Sequence, residues 1–220
     1  FDMTEDYTIP RFLNSGNCEI LFSYGEAPSG GLAAFQYASS RRAAFIPSTG
    51  LMKLYVENDQ RKASKLFFAT EGKKPMKYYG STSDNMYPHA FRLAEVYLNR
   101  AEAYVLWDNK VTEALKDLNE LRRNRIEGYS DVSISDPVLL LEEIRKERRL
   151  ELAREGHRWL DLRRYGMPSI KHTWLPGEGL TLQTFVLKAK DPMYTLPLPE
   201  SVLGVNPALT QNASANTPER

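Results

Sequence analysis

Apolar residues recur with a helical period in the stretch 140–166. On a helix drawn at about 100° per residue, five of them fall on one stripe: Leu141, Ile144, Leu152, Trp159 and Leu162. Asp136 supplies a helix N-cap, and Pro137 suits the first helical turn. We therefore predict one long helical segment here, bent near Gly156.

Four charged residues interrupt that apolar stripe, which is unusual because every buried charge needs a partner. They are Arg148, Glu151, Glu155 and Arg158. A spacing of three residues brings Arg148 near Glu151, and Glu155 near Arg158. On the neighbouring helix, Glu95 and Glu102 are the candidate partners of Arg148 and Arg158. The six residues form a predicted structural ion-pair network.

The pattern over 87–127 predicts two helices joined by a short turn at 107–109. The first has two adjacent apolar stripes, typical of a central helix that is flanked on two sides. These stripes comprise Phe91, Ala94, Leu98, Ala101 and Val105, and beside them Leu93, Tyr97 and Tyr104. The second helix ends near Gly128. Such an αα-hairpin is the unit of tetratricopeptide-type repeats, but a single clear copy does not establish a repeat array.

The rest of the chain has short and irregular patterns. Residues 1–80 form a loop-rich segment with a strand at 19–22, a short helix after Ser48 and short strands at 65–68 and 77–79. Residues 167–220 form a loop-rich tail, in which prolines exclude regular helix and residues 181–189 are extended. We expect a mainly α fold: one region over 1–220, with tetratricopeptide-like helix pairs in a helical core at 87–166, long loops and a few short strands.

Composition is that of an ordinary globular protein, with 220 residues, 42% hydrophobic and 26% charged. The net charge of +1 argues against a dominant nucleic-acid or anionic-membrane surface. Cys18 is the single cysteine, which excludes an internal disulfide and a cysteine-based metal cluster. Because the sequence starts at Phe1, we expect a processed or shortened chain, from which a secretory or lipid anchor could have been removed.

The sequence carries no nucleotide-binding or nucleophile motif, and His89, His157 and His172 lack the spacing of metal ligands. Glu151 and Glu155 could form an acid pair of the glycosidase type. However, the arginines around them would lower the pKa of both carboxyls and spoil a general acid, which favours a structural role. We therefore expect no catalytic residue, no metal and no cofactor.

Three ordered stretches resemble the SusD/RagB family. They are FRLAEVYLNRAEA at 91–103, the run 144–166 containing ERRLELAREGHRWLDLRRYG, and LPLPES at 196–201 followed by Asn206-Pro207. Weaker matches lie at 19–22, 47–48, 55 and 58–61, so the similarity covers most of the chain in the family's order.

The resemblance implies tetratricopeptide-like helix pairs and nutrient capture without catalysis. Members of the family are lipid-anchored proteins at the outer-membrane surface of glycan-foraging Gram-negative bacteria. They bind oligosaccharides or other nutrients and pass them to a TonB-dependent transporter. The residues of the predicted ion-pair network match the family's framework, not its ligand site. Because members are usually longer, the resemblance also implies that this chain is a C-terminal portion.

Aromatic residues on the predicted loops are the candidate ligand contacts, since a flat ring can stack on a sugar or cover an apolar ligand. We predict contacts from Tyr24, Phe35 and Tyr37, with Arg41 as a polar companion and Trp174 as a further candidate. The alternative is that these rings fold back onto the core.

Two other functions remain open. An interaction scaffold would bind a protein partner through an exposed apolar groove on the helices at 87–127, whereas a sugar binder would bury those helices and expose loop aromatics. A hydrolase would need two carboxylates that face a cleft about 5–9 Å apart.

Overall fold

A computed structural model of the chain describes residues 19–24, 47–63, 68–69, 74–75, 89–153, 155–174 and 181–216. The predicted mainly α fold is confirmed. The chain divides into two compact units, Phe1–Glu155 and Gly156–Arg220. This boundary falls inside the segment 87–166, which the sequence predicts as one helical core.

Three helices form the centre of the first unit: α3 Leu93–Leu106, α4 Val111–Arg123 and α5 Pro137–Glu151. The helices α3 and α4 are neighbours joined by a short turn, as predicted, and α5 packs against both. Their shared core consists of small and branched apolar side chains. These are Ala94, Leu98, Ala101, Ala114, Leu118, Leu121, Leu140 and Ile144. The apolar face of the α3–α4 hairpin is therefore covered by α5.

The start of α5 follows the predicted capping pattern. Asp136 Oδ1 accepts hydrogen bonds from the backbone N–H groups of Val138, at 2.7 Å, and Leu139, at 3.3 Å. Pro137 occupies the first turn, where its missing N–H has no helical partner to lose.

The predicted single helical segment over 140–166 is wrong, because α5 ends at Glu151 and a separate helix, α6 His157–Arg164, begins after it. Gly156 lies between them with a φ of 85°, a left-handed conformation that glycine adopts without strain. Trp159 and Leu162 thus belong to α6 in the second unit and not to α5.

The predicted strand near 19–22 is confirmed as β1 Ile20–Tyr24, which pairs antiparallel with β4 His89–Arg92. The prediction that Phe91 is part of the apolar helix stripe is wrong. Phe91 lies on β4 opposite Phe22 and is 56% exposed, and the two ring centroids are 6.1 Å apart. Pairing with β1 keeps this segment extended until Leu93, where α3 begins.

Shorter elements complete the described part of the first unit. They are α1 Thr49–Met52, α2 Gln60–Ala63, and the strand pair β2 Phe68–Ala69 with β3 Lys74–Pro75. Ser48 caps the predicted helix α1, with its Oγ accepting from the N–H of Leu51 at 3.1 Å. The Tyr55 hydroxyl donates to the carbonyl of Leu150 at 2.7 Å, which ties this segment to the end of α5. The strand predicted at 77–79 lies outside the described residues.

The second unit combines α6 with a β-hairpin and short helical turns. Its elements are β5 Ile170–Trp174 paired antiparallel with β6 Gln183–Leu187, a 3₁₀ turn at Pro192–Tyr194, α7 Glu200–Val205 and a 3₁₀ turn at Ala213–Asn216. Tyr194 is buried, and its ring stacks on Trp159 with a centroid distance of 5.0 Å.

Two sequence predictions for the second unit need correction. His172 and Trp174 lie on a strand, not on a loop, because β6 pairs with this segment over its whole length. The prolines do not exclude regular helix, because Pro199 lies at the N-cap of α7, where no helical hydrogen bond is lost. The predicted extended segment over 181–189 is confirmed by β6.

Across the described residues, we find no helix with both the length and the apolar content that a bilayer crossing requires.

Substitution of Leu140 tests whether α5 closes the core of the first unit. Leu140 is fully buried, so we expect Leu140→Ala to lower the free energy of unfolding by about 2–5 kcal/mol. The adjacent Leu139 is 54% exposed, and Leu139→Ala should change that free energy by less than about 0.5 kcal/mol. Urea denaturation followed by circular dichroism measures both. Equal effects of the two substitutions would contradict the orientation of α5.

Candidate functional site

A buried carboxylate, Glu151 at the end of α5, contacts three arginines. Its Oε2 lies 3.0 Å from Arg61 Nη1 and 3.0 Å from Arg125 Nε, and its Oε1 lies 2.8 Å from Arg92 Nη1. Arg61 comes from α2, Arg92 from the end of β4, and Arg125 from the turn after α4. One fully buried side chain therefore joins three segments of the chain to α5.

Glu147, one turn earlier on α5, extends this set of ion pairs. Its Oε1 lies 2.6 Å from Arg61 Nη1, and its Oε2 accepts a hydrogen bond from Arg122 Nε at 2.7 Å. Arg61 also donates to both carboxylate oxygens of Asp59, at 2.9 and 2.7 Å. The guanidinium of Arg61 thus binds three acids while its side chain is fully buried.

Two further acids extend the cluster among the described residues. Arg92 donates to Glu155 from Nε at 3.1 Å and from Nη2 at 2.7 Å, and Arg125 Nη2 donates to Glu19 Oε2 at 2.8 Å. We call the whole set the buried ion cluster. It comprises Glu19, Asp59, Arg61, Arg92, Arg122, Arg125, Glu147, Glu151 and Glu155.

Of these residues, the helical pattern of the sequence indicates Glu151 and Glu155 but not the arginines that bind them. A signal was present for Arg61 and Arg92, which lie in stretches that resemble the family. No local pattern connects them to Glu151, because the contacts span 90 and 59 residues.

The other residues of the predicted ion-pair network lie outside the buried ion cluster. Arg148 Nη1 donates to Asn99 Oδ1 at 2.8 Å, and Arg148 Nη2 lies 3.4 Å from Glu95 Oε1. Glu102 accepts from Arg145 Nε at 3.1 Å. These contacts connect α3 to α5.

Arg158 is placed differently from its prediction. It lies on α6 in the second unit, and its side chain is exposed. It is within electrostatic range of Tyr165 and Asp161. The helical break after Glu151 places Arg158 on a separate helix, α6.

The arginines keep the central carboxylates ionised. Burial raises the pKa of Glu151, but the charges of Arg125, Arg92 and Arg61 outweigh this effect and hold the pKa well below its usual range. Burial likewise raises the pKa of Glu147, and the charges of Arg61 and Arg122 lower it by more. A carboxylate in this state cannot donate a proton at neutral pH, so this arrangement suits cohesion and not general acid catalysis.

No metal site emerges from the described ranges: they contain no group of three or more histidine, cysteine, aspartate or glutamate side chains placed to hold an ion.

The five predicted ligand contacts are only partly described. Phe35, Tyr37 and Arg41 lie outside the described residues. Tyr24 ends β1, where its backbone pairs with His89. Trp174 ends β5 with 51% of its side chain exposed. These five contacts stay predictions.

Comparison with known proteins identifies the family. The model of the SusD family matches residues 60–214, and the chain belongs to this family. The matched range runs from α2 through α7 and includes seven of the nine residues of the buried ion cluster, all except Glu19 and Asp59. The search of curated proteins gives no match.

Two solved structures show the same fold. A SusD homolog from Bacteroides thetaiotaomicron VPI-5482 has a TM-score of 0.63 and 22% identity, and the match covers 97% of this chain and 50% of that protein. A SusD-like carbohydrate binding protein from Bacteroides vulgatus ATCC 8482 has a TM-score of 0.56 and 23% identity, covering 87% of this chain and 44% of that protein. The chain therefore spans at most half of the length of these two relatives.

The substitution Glu151→Gln tests the buried ion cluster. It keeps the shape of the side chain but removes the charge that three buried arginines share. We expect the free energy of unfolding at pH 7 to fall by about 3 kcal/mol or more, because arginine charges remain buried without compensation. Glu142, on the exposed side of the same helix, provides the control Glu142→Gln. A Glu151→Gln variant as stable as this control in urea denaturation would contradict the role of the cluster.

Stability should also depend on pH in a defined direction. Glu147 and Glu151 have lowered pKa values in the folded chain, so the unfolded chain binds protons more readily. The stabilisation is complete above the pKa of an unfolded glutamate, about 4.3, and is lost as pH falls toward the lowered folded values. We expect the urea midpoint to fall steeply below about pH 4.3, and less steeply in Glu151→Gln. A midpoint that is constant down to pH 3 in the parent would contradict this prediction.

Proposed function

We propose that the chain belongs to a non-catalytic nutrient-binding protein that captures a glycan at the outer-membrane surface and delivers it to a TonB-dependent transporter. Membership of the SusD family is the observation that carries the proposal. It is supported by the shared fold with the Bacteroides vulgatus protein, which is described as carbohydrate binding. The lipid-anchored position at the cell surface and the transporter partner follow from the family resemblance.

The ion pairing of the glutamates in the helical core favours a binding role over a catalytic one. Glu147, Glu151 and Glu155 each face arginines at ion-pair distance. A glycosidase of the usual type needs one carboxyl with a raised pKa to protonate the leaving group. The pKa values of Glu147 and Glu151 are shifted in the opposite direction.

The packing of the helices also bears on the alternative of an interaction scaffold. Such a scaffold would present the apolar side of the α3–α4 hairpin to a partner. That side carries Leu98, Leu118 and Leu121, which are buried together with Leu140 and Ile144 of α5. A role for the loops and strands in ligand contact therefore agrees better with the structure. The contacts that we propose are Tyr24, Phe35, Tyr37, Arg41 and Trp174.

Isothermal titration calorimetry of the 220-residue chain tests the proposed function. The probes are neutral and acidic oligosaccharides and a set of unrelated peptides. Stacking on an aromatic ring contributes roughly 1 kcal/mol, so we expect a dissociation constant of about micromolar to millimolar for at least one glycan. No binding to any oligosaccharide or peptide would refute the proposal. Turnover of a chromogenic glycoside that is lost in Glu151→Gln would instead support a hydrolase.

A further inference from the structure

The β5–β6 hairpin presents an aromatic face that contains no lysine, arginine or acid. The antiparallel register pairs Trp174 with Gln183, His172 with Phe185, and Ile170 with Leu187. Because side chains alternate along a strand, these six residues share one face of the hairpin. The opposite face carries Lys171, Thr173, Thr184 and Val186.

The outer part of this face is open to solvent. Trp174 is 51% exposed and Phe185 is 41% exposed, and the neighbouring His172 and Gln183 are exposed as well. Only the base of the hairpin is partly buried, at Ile170 and Leu187. Two large rings are thus accessible to a ligand on the same face of the two strands.

Hydrogen bonds to two backbone carbonyls hold the base of the hairpin in place. Ser169 Oγ donates to the carbonyl of Leu187 at 3.1 Å, and the N–H of Lys190 donates to the carbonyl of Met167 at 2.8 Å. Trp174 and Phe185 are diagonal neighbours across the two strands, and such positions lie about 7–8 Å apart. One extended ligand can therefore contact both rings.

We infer that this face binds an uncharged glycan, with Trp174 and Phe185 stacking on sugar rings and Gln183 and His172 hydrogen-bonding to hydroxyl groups. This assignment rests on the proposed function and specifies the ligand class and the contacts. We call the four residues the hairpin platform.

The hairpin platform combines aromatic rings with uncharged polar side chains, and this combination favours an uncharged glycan. A purely apolar partner would leave the amide of Gln183 and the imidazole of His172 without hydrogen bonds, which costs free energy. An acidic glycan would find on this face neither a lysine nor an arginine to form charge-assisted bonds with its carboxylates. A neutral pyranose offers both C–H groups that pack on a ring and hydroxyls that bond to an amide.

Calorimetry with single variants of the 220-residue chain tests the hairpin platform. The neutral probes are cellohexaose, xylohexaose, mannohexaose and maltohexaose, and oligogalacturonate is the acidic probe. For a neutral probe that binds the parent, we expect Trp174→Ala to weaken binding by about five- to tenfold, and Phe185→Ala by about threefold. Trp174→Phe keeps a ring and should stay within about twofold of the parent.

Two variants serve as controls. Val186→Ala removes an apolar side chain from the opposite face of the same strand, and Trp107→Ala removes an exposed tryptophan, 83% accessible, from the first unit. Both should bind as the parent does, and thermal unfolding should show that every variant is folded.

The outcomes separate this inference from the proposed function. Neutral-glycan binding that is unchanged in Trp174→Ala refutes the hairpin platform and leaves the proposed function intact. Binding of oligogalacturonate alone, or equal losses in Trp174→Ala and Trp174→Phe, also refutes the platform. A parent chain that binds none of these probes refutes the platform, and one that also binds no other oligosaccharide or peptide refutes the proposed function as well.

Discussion

The structure of the first unit depends on the charge of one side chain, the fully buried Glu151. Removing a carboxylate from water costs several kcal/mol, and this cost is offset only by well-placed opposite charges. Arg61, Arg92 and Arg125 supply them from three separate segments. All three ion pairs can form only when the segments that carry these arginines lie in their final positions around the end of α5. Glu151 therefore specifies one arrangement of the chain among the many that an apolar core would accept.

Apolar packing and ion pairs contribute differently to the core formed by α3, α4 and α5. Burial of leucine, isoleucine and alanine drives the helices together, but this force has no direction. Directional ion pairs limit how far one helix slides past another. Arg100 binds both oxygens of Asp117 between α3 and α4, at 2.8 and 2.7 Å, and Arg122 binds Glu143 between α4 and α5, at 2.6 Å. The charges inside the apolar stripe of α5 are therefore compatible with a well-ordered core.

Local signals in the sequence were sufficient for much of the fold. The period of Ala94, Leu98 and Ala101 identified the buried side of α3, and Asp136 with Pro137 located the start of α5. Phe91 fits the same helical period, yet it lies on β4, because pairing with β1 occurs across about 70 residues and leaves no trace in a local pattern. Gly156 was recognised as a bend, but periodicity could not show that a positive φ would separate two helices.

The site is harder to predict than the fold, because its contacts join residues that are distant in the sequence. Charged residues on α5 indicate that buried partners exist. No local pattern connects them to Arg61, Arg92 and Arg125, because these lie 90, 59 and 26 residues from Glu151. On the β5–β6 hairpin, the sequence indicates Trp174 as a candidate ligand contact because it is aromatic. Only the strand register shows that Phe185 and Gln183 lie beside Trp174 on the same face.

The shared guanidinium groups also constrain how the protein can change. Arg125 donates to Glu19 from Nη2 and to Glu151 from both Nε and Nη2 of one planar group, and a lysine ammonium cannot reproduce that fork. Replacing the residues of the buried ion cluster one at a time produces variants in which a buried charge has lost its partner. Concerted exchange of all partners for closely fitting hydrocarbon side chains avoids this barrier. Redesign of this region thus has to treat the nine residues as a single unit of substitution.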